Sequence, residues 1–401
     1  MSKSNETTPN VPTLRFAEYT DEWHKYALSD FVTRITRRNK NNESSLPLTI
    51  SAQYGLVDQI TFFNKTVASV DLSGYYLLYN GDFAYNKSYS NDYAWGAVKR
   101  LDKYEKGCLS SLYFVFRPTD KVDSDYLAHY FETNKWHKGI SDIAGEGARN
   151  HGLLNMAVDD YFATKHYLPS LSEQKKIACF LNLITKRIEI QNKIISDLKV
   201  LKKELCNRYF KSVHNDMSLG YITLKDILTE RKEYCSKDGT YTHGTLSKEG
   251  VSPKTERYDR DFLVKNEDKQ YKVTHFNDIC YNPANLKFGV ICRNTYGDLI
   301  FSPIYVTFEI ADTVYPAYIE LFLTNANFIG RIRRYEQGTV YERMAVSSED
   351  FLSYETRMPT YEEQVKFADK IQRIQDKIEL ETSFLNYLQK QRKYLLNAMF
   401  I

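Results

Sequence analysis

Basic side chains interleaved with amides and aromatic rings occur in polar segments at corresponding places in the two halves of this chain. Arg, Lys, Asn and Gln can form paired hydrogen bonds to base edges in the major groove, and Lys, Arg and Tyr also bind phosphates. A single Lys or Arg is more often an ordinary solvated residue, but the whole set on corresponding loops favours contact with double-stranded DNA. The predicted DNA-binding residues are Arg37, Arg38, Lys40, Lys87, Tyr89, Asn91, Arg149 and Asn150 in the first half, and Lys287, Arg293, Asn294, Arg331, Arg333, Arg334, Gln337, Tyr341 and Arg343 in the second.

Residue patterns that would indicate catalysis are absent or incomplete. Residues 282–285 (NPAN) lack the aromatic position of the Asn-Pro-Pro-aromatic motif of amino-methyltransferases, and residues 145–147 (GEG) lack the spacing of a nucleotide-binding fingerprint. Asp120, Asp123 and Asp125 could form a nuclease carboxylate set, although a solvated loop before a helix is the more common origin of such a group. The cysteines and histidines form no zinc-binding pattern. We therefore predict no catalytic residues, no metal site and no cofactor bound by this chain.

Length and composition indicate a globular protein of more than one domain. The chain has 401 residues, of which 42% are hydrophobic, enough for packed cores. The formal net charge is only +3, so a DNA-binding surface must come from local clustering rather than from overall charge. The N-terminus is polar and no apolar run reaches the roughly 18–20 residues of a membrane span, which predicts a cytoplasmic protein without a membrane segment.

Two long segments without Gly or Pro, residues 172–210 and 361–400, must position the loops. Apolar residues recur in each at alternating steps of four and three, which is the spacing of a coiled-coil seam. A helix of this length would extend roughly 55–60 Å, which suits a spacer between two bodies. The polar pairs in the seam are candidates for fixing its register. With an offset of 190 residues, the matched seam positions are Ile177/Phe367, Leu181/Ile371, Ile184/Ile374, Ile188/Ile378, Gln191/Glu381, Ile195/Leu385, Leu198/Leu388, Lys202/Arg392, Leu205/Leu395 and Tyr209/Met399.

The repeat extends beyond the long segments. Asp30 matches Asp226, and Asp82 begins a short run that matches the run after Asp278, in both cases with an offset of 196. The offset decreases to 190 at the long segments, so the elements repeat while the loops between them differ in length. The predicted fold is α+β, with two pseudo-symmetric α/β domains and two long helices that form an antiparallel coiled coil.

The domain boundaries follow from this order, and a further helix is expected over residues 125–138. We predict a disordered tail at 1–10, a first domain at 11–170, a central helix at 171–212, a second domain at 213–358 and a C-terminal helix at 359–401.

The junction before each long segment carries a resemblance to a known family. It reads YLPSLSEQKKI at residues 167–177 and MPTYEEQ at residues 358–364, each after a glycine-containing loop. Together with LRF at 14–16, LSD at 28–30 and LTIS at 48–51, these motifs resemble those of the specificity (S) subunits of type I restriction–modification systems, the HsdS family. The resemblance extends over essentially the whole chain.

The resemblance implies two target-recognition domains, each reading one half of a bipartite DNA site, with the coiled coil setting the spacer. It implies a non-catalytic chain that docks two methyltransferase (M) subunits, which bind S-adenosylmethionine and methylate adenine. Restriction (R) subunits, which use ATP and Mg²⁺, join the complex. The outward face of the first long helix, with Lys175, Lys176, Lys186 and Arg187, is a candidate docking surface.

Two alternatives remain open from the residues themselves. One is a coiled-coil scaffold that assembles proteins without DNA specificity, which would make the basic loop residues irrelevant. The other is a stand-alone methyltransferase or nuclease, against which the missing cofactor and carboxylate motifs argue.

Overall fold

The computed structural model describes residues 10–65, 67–90, 92–145, 152–236, 240–248, 250–254, 270–336 and 345–401. Residues 1–9 of the predicted N-terminal tail lie outside this description. The chain forms two compact units. Unit 1 comprises Met1–Asn192 with Ser383–Ile401, and unit 2 comprises Lys193–Thr382. Unit 1 is therefore assembled from two separate stretches of the chain.

Both units combine short strands and short helices with parts of two long helices. In chain order the elements of the first half are β1 (His24–Ala27), β2 (Val32–Arg34), β3 (Leu48–Ser51), β4 (Gly55–Asp58), α1 (Gln59–Phe63), β5 (Tyr76–Tyr79), β6 (Phe83–Asn86), β7 (Ala97–Arg100), β8 (Lys106–Leu109), β9 (Phe114–Pro118), α2 (Ser124–Tyr130), α3 (His137–Ile143), α4 (Val158–Ala163), β10 (Lys165–Leu168) and α5 (Leu171–Asn215). They are followed by β11 (Tyr221–Thr223), β12 (Leu228–Glu230), β13 (Tyr234–Cys235), β14 (Thr242–Ser247), β15 (Gly250–Pro253), β16 (Tyr271–Thr274), β17 (Ile279–Tyr281), β18 (Ile291–Arg293), β19 (Leu299–Phe301), β20 (Val306–Ile310), α6 (Pro316–Leu323), α7 (Ala326–Ile332), α8 (Ser348–Leu352), β21 (Glu355–Arg357) and α9 (Tyr361–Ala398).

The same antiparallel sheet occurs in both units. Its strand order is β2-β9-β6-β7 in unit 1 and β12-β20-β17-β18 in unit 2, and each unit also has a two-stranded ribbon, β1-β10 or β11-β21. The remaining strands differ. Unit 1 has the separate pairs β3-β4 and β5-β8, whereas unit 2 joins β13, β16, β19, β14 and β15 into one sheet. The structure thus repeats the central sheet and varies the strands beside it.

Aromatic packing against the central strand is also duplicated. In unit 1 the ring of Tyr85 stacks on Tyr161 with 4.7 Å between centroids and 3° between planes. In unit 2, Tyr281 stacks on Phe351 at 4.9 Å and 19°. Because both members occupy matched positions in the sequence, the repeat includes the core as well as the strand order.

The end of each long helix completes the core of one unit. Phe400, which follows α9, is buried in unit 1 with its ring 5.1 Å from that of Tyr126. Phe210, near the end of α5, is buried in unit 2 with its ring 5.7 Å from that of Tyr318. These phenylalanines occupy matched positions, so each unit receives the same aromatic side chain from a different helix.

The prediction of one helix over residues 125–138 is wrong, because the structure has two shorter helices, α2 and α3, in this region. The hydroxyl of Thr133 donates to the Tyr130 carbonyl at 2.7 Å and competes with continued helical bonding. The buried indole of Trp136 donates to the Phe131 carbonyl at 3.2 Å. The carbonyls that a continuous helix would use are therefore bonded to side chains.

The long helices α5 and α9 are antiparallel within each unit. In unit 1, Arg392 Nε donates to Thr185 Oγ1 at 3.0 Å, and in unit 2 Lys202 Nζ donates to Gln375 Oε1 at 2.8 Å. Each of these residues matches its counterpart with the 190-residue offset, so one cross-helix contact is made twice. All twenty predicted seam positions are buried or half-buried. The predicted antiparallel coiled coil is confirmed, with Lys202 and Arg392 at matched positions of its register.

A buried glutamine anchors the start of each long helix to a short helix of the same unit, α2 in unit 1 and α6 in unit 2. Gln174 Oε1 accepts from the Asp123 N–H at 2.8 Å, and its Nε2 donates to the Pro169 carbonyl at 3.0 Å. In unit 2, Gln364 Oε1 accepts from the Tyr315 N–H at 2.9 Å and its Nε2 donates to the Pro359 carbonyl at 2.9 Å. Since Asp123 and Tyr315 are the N-cap residues of α2 and α6, this anchor fixes where two helices meet.

Replacing an anchoring glutamine should destabilise the unit that contains it. We expect Gln174→Ala to lower the free energy of unfolding by about 2–4 kcal/mol, because a backbone N–H and a carbonyl lose their buried partner. Urea unfolding followed by circular dichroism measures this. Gln389→Ala on the exposed face of α9 is the matched control and should change stability by less than about 0.5 kcal/mol. Equal stability of the two variants would contradict the anchoring role.

A neutral histidine is buried beside the β1-β10 ribbon in unit 1. The Thr164 hydroxyl donates to the Tyr161 carbonyl at 2.7 Å, so it must accept from His166 Nε2 at 2.8 Å. His166 Nδ1 then accepts from the Tyr130 hydroxyl at 2.8 Å. Burial lowers the pKa of His166 to about 4. Both ring nitrogens are satisfied in the uncharged form, which burial favours over the imidazolium.

Acidification should therefore weaken unit 1 through His166. The folded-state pKa lies below the ordinary value of 6.5, so this contribution is complete above pH 6.5 and is lost as the pH decreases toward 4. We expect a loss of about 2 kcal/mol between pH 6.5 and pH 5.

Urea midpoints of the full chain at pH 7, 6 and 5 measure the slope. His166→Gln should flatten it, whereas His24→Gln, at an exposed position on β1, should leave it unchanged. An unaltered slope in His166→Gln would show that another group is responsible.

Candidate nucleic-acid interface

Two adjacent arginines of unit 1 are held against tyrosine rings of β5. The guanidinium of Arg37 lies 4.3 Å from the centroid of the Tyr79 ring, and that of Arg38 lies 4.2 Å from the centroid of the Tyr76 ring. Arg38 also donates to the Gly74 carbonyl at 2.7 Å. Both side chains stay half-exposed, and the neighbouring Lys40 is exposed. Cation–π contact restricts the arginines while leaving donors for a ligand.

Arg37 has a second role because it neutralises a buried carboxylate. Asp82, whose side chain is fully buried, pairs with Arg37 at 2.9 Å and with Arg117 at 2.6 Å. In unit 2 the matched Asp278 pairs with Arg231 at 2.8 Å, from a position that does not match Arg37. Removing either cation would leave a buried charge short of partners. Replacement of Arg37 therefore cannot separate ligand contact from folding.

Lys87 and Tyr89 follow β6 in a segment that pairs with residues 152–154. The Tyr89 N–H donates to the Gly152 carbonyl at 3.1 Å, and the Leu154 N–H donates to the Lys87 carbonyl at 3.0 Å. The ammonium of Lys87 lies 4.8 Å from the centroid of the Phe114 ring. Both predicted residues are half-buried. The other predicted residues of this half, Asn91, Arg149 and Asn150, lie outside the described part of the chain.

Two of the residues predicted in unit 2 make contacts that hold the fold. Arg293 pairs with Glu320 of α6 at 2.9 Å, as Arg100 pairs with Asp125 of α2 at 2.7 Å in unit 1. Asn294 is fully buried, and its amide donates to the carbonyls of His275 and Gly297 at 3.0 and 2.7 Å. The structure thus places Arg293 at a sheet-to-helix contact and Asn294 inside a turn.

The remaining predicted cations of unit 2 lie near the end of α7 and beside the central sheet. Arg333 and Arg334 are exposed, and Arg333 lies 3.4 Å from Glu336. Arg331 is half-buried and lines a cavity. The half-buried Lys287 lies 5.3 Å from the centroid of the Phe288 ring. The predicted residues Gln337, Tyr341 and Arg343 lie outside the described part of the chain.

The part of the chain that the structure describes contains no cluster of side chains for metal-dependent chemistry. Among them, no group of three or more His, Cys, Asp and Glu side chains could hold a metal ion. Of the carboxylates considered for a nuclease, Asp123 caps α2 and Asp125 pairs with Arg100. No described helix is long and apolar enough to cross a membrane.

Sequence reasoning missed a second apolar row on α5, outside the seam. Leu183, Ile190 and Leu201 are 63%, 52% and 48% exposed. Leu183 and Ile190 are seven positions apart and Leu201 is eleven positions beyond Ile190, while on α9 the exposed residues Tyr387 and Tyr394 are seven positions apart. Steps of seven and of eleven both keep side chains near one face of a helix. The signal was present in the sequence as a second apolar spacing beside the seam.

Three solved structures share this fold over nearly the whole chain. The HsdS subunit of Thermoanaerobacter tengcongensis covers 94% of this chain and 96% of its own length, with a TM-score of 0.51 and 14% identity. A type I restriction-modification system S subunit from M. genitalium covers 98% and 99%, with a TM-score of 0.52 and 14% identity. A structure concerned with complex assembly and conformational transition of the type I R-M system covers 94% and 96%, with a TM-score of 0.55 and 14% identity.

No protein-family model matches the chain, and no curated protein matches it significantly. The structural likeness shows that the fold is the one found in HsdS subunits, with two α/β domains and two long helices. The predicted fold class is thereby confirmed.

Proposed function

We propose that this chain is the DNA-recognition subunit of a type I restriction–modification complex. The observation that carries the proposal is the repetition of the sheet order, the glutamine anchor and the cross-helix contact in two units, in a fold found in HsdS subunits. A chain with one binding surface has no need of such a repeat. Two recognition domains presented by one antiparallel coil match a bipartite double-stranded DNA site, one domain for each half.

The differences between the units support separate half-site sequences. The strand order of the central sheet is the same and an aromatic pair stacks at matched positions, while the strands beside the sheet form separate pairs in unit 1 and one five-stranded sheet in unit 2. Loops and edge strands are where binding specificity usually resides, on a scaffold that does not change. The domains at residues 11–170 and 213–358 would then each read a different short sequence.

The long helices would set the number of base pairs between the half-sites. Their register is fixed twice, by Arg392 with Thr185 and by Lys202 with Gln375. Half-sites about one turn of B-DNA apart, roughly 34–36 Å, lie within the reach of such helices. Base pairs between the half-sites need not be contacted.

Catalysis would belong to partner subunits. Two M subunits would supply S-adenosylmethionine and adenine methylation, and R subunits would supply ATP- and Mg²⁺-dependent cleavage. The exposed apolar row Leu183, Ile190 and Leu201 on α5, together with the exposed Lys175 and Lys186, offers a mixed surface of the kind that partner subunits cover.

Replacing described cations with alanine should weaken binding to the target. We expect Arg38→Ala and Arg334→Ala to cost about 1–3 kcal/mol where the residue reads a base, or to reduce the salt slope by about one unit where it contacts a phosphate. Neither side chain pairs with a described carboxylate, so folding should be preserved.

Fluorescence anisotropy of the chain assembled with its M subunits, titrated between 50 and 200 mM salt, measures both quantities. Lys390→Ala, exposed on α9, is the control and should bind as the unaltered chain does. Wild-type affinity and slope in both arginine variants would remove these residues from the interface. DNA affinity without any salt dependence would favour the scaffold alternative.

Shortening both helices should shorten the recognised spacer. Deleting residues 190–196 together with the facing residues 381–387 keeps the seam in phase and removes about 10.5 Å of helix. At 3.4 Å for each base pair, we expect a preferred spacer shorter by about three base pairs.

Sequencing of the adenines methylated by the assembled complex reports half-sites and spacer together. Both half-sites should stay unchanged, which serves as the internal control for folded recognition domains. Methylation at the original spacing by the shortened chain would contradict the ruler role of the helices.

A further inference from the structure

A cationic cavity of about 330 Å³ lies within unit 2, between the end of α5 and strand β21. Four basic residues line it: Lys211, His214, Arg331 and Arg357. None of them pairs with a described carboxylate. The exposed carboxylate of Asp216 lies outside the cavity wall, and its pKa is lowered mainly by hydrogen bonds from Ser218, whose hydroxyl donates at 2.6 Å, and to a smaller extent by the charge of Arg357. The wall itself therefore carries positive charge and no described carboxylate.

Arg357 is the buried member of this set. It is only 5% exposed, and its guanidinium lies 4.4 Å from the centroid of the Tyr221 ring. The Nη1 group donates to the Asp216 carbonyl, and Nη1 and Nη2 lie 3.2 and 3.3 Å from Met217 Sδ, but Nε is buried with no hydrogen-bond partner. A buried guanidinium donor without an acceptor is costly, and an anion in the cavity would satisfy it.

The neighbouring groups are consistent with a site for an anion. Burial lowers the pKa of His214, and the charges of Arg331 and Arg357 lower it further. The rest of the wall is formed by amides and aromatic rings, among them Asn325, Phe322 and Tyr354. Asn325 is held in place by a bond from its Nδ2 to Asn207 Oδ1 at 3.0 Å.

Unit 1 contains the same cavity with different chemistry. There Tyr167 stands at the position of Arg357 and Gly139 at that of Arg331, while Asp142 and Asp160 join four lysines in the wall. The cation–aromatic pair across the ribbon is also reversed, since Lys25 on β1 lies 5.5 Å from the centroid of the Tyr167 ring on β10. The buried polar side chain of this cavity, His166, has partners on both nitrogens. The unpaired donor thus belongs to unit 2.

We propose that the unit 2 cavity binds a small phosphate-bearing anion, with Arg357 and Arg331 contacting the phosphoryl oxygens. Guanidinium groups form charge-assisted, often bidentate, hydrogen bonds to phosphate. A volume of about 330 Å³ exceeds what inorganic phosphate fills, and the aromatic wall could accept the organic part of a phosphomonoester such as a mononucleotide. The site does not depend on the function proposed above.

Isothermal titration calorimetry of the full chain at pH 7 tests the site. Inorganic phosphate and adenosine monophosphate are titrated separately into protein in a phosphate-free buffer, with sodium chloride as the blank. We expect one equivalent of each to bind per chain. Tighter binding of the nucleotide would identify a phosphomonoester, and equal affinities would identify the phosphoryl group as the whole of the recognised ligand.

Substitutions test whether the anion binds in this cavity. Arg331→Gln should weaken the affinity about tenfold or more, and Arg373→Gln, exposed on α9 within unit 2 and outside the cavity, should leave it unchanged. Arg357→Gln should abolish binding, and Arg331→Gln keeps the test decisive if the buried variant fails to fold. The proposal is overturned if neither anion binds, or if the Arg331→Gln and Arg373→Gln variants bind the anions with equal affinity.

Discussion

Two buried side-chain amides hold the architecture in place. Gln174 and Gln364 each use both ends of the amide, accepting from an N-cap N–H and donating to the carbonyl of the proline before the long helix. Each amide therefore fixes one end of a long helix against a short helix of an α/β body, α2 or α6. Because the contact is made by an amide, it is insensitive to pH and cannot be screened by salt. The geometry of any surface carried by these bodies depends on it.

Sequence periodicity was sufficient to predict the long helices, the seam and the repeat. These features depend on local spacing and on comparison of the chain with itself. Periodicity failed at residues 125–138, where Thr133 and Trp136 bond carbonyls that a helix would use. That competition depends on tertiary burial of the indole. Spacing alone gives no sign of it.

The candidate DNA surface could be predicted less well, because the sequence of a loop does not show whether a cation faces solvent or pairs with a carboxylate. The ion pairs of Arg293 with Glu320 and of Arg37 with Asp82 form only when strands and helices that are distant in the sequence pack together. Asn294 was predicted to bind DNA because of its amide, which in the structure donates a hydrogen bond inside a turn. Arg357 was missed because its burial depends on strand β21 pairing with β11. For cations that remain exposed, such as Arg334, contact with DNA stays a prediction.

The separation of unit 1 into two stretches of chain has a consequence for how the protein forms. Its core includes Leu395, Met399 and Phe400, and the Leu14 N–H donates to the Ala398 carbonyl at 2.9 Å. Unit 2 is one continuous stretch and takes its matching aromatic, Phe210, from a helix made before it. During synthesis from the N-terminus, unit 2 can therefore finish folding before residues 383–401, which unit 1 needs, have been made. Of the two units, the one whose synthesis begins earlier is thus the later to close its core.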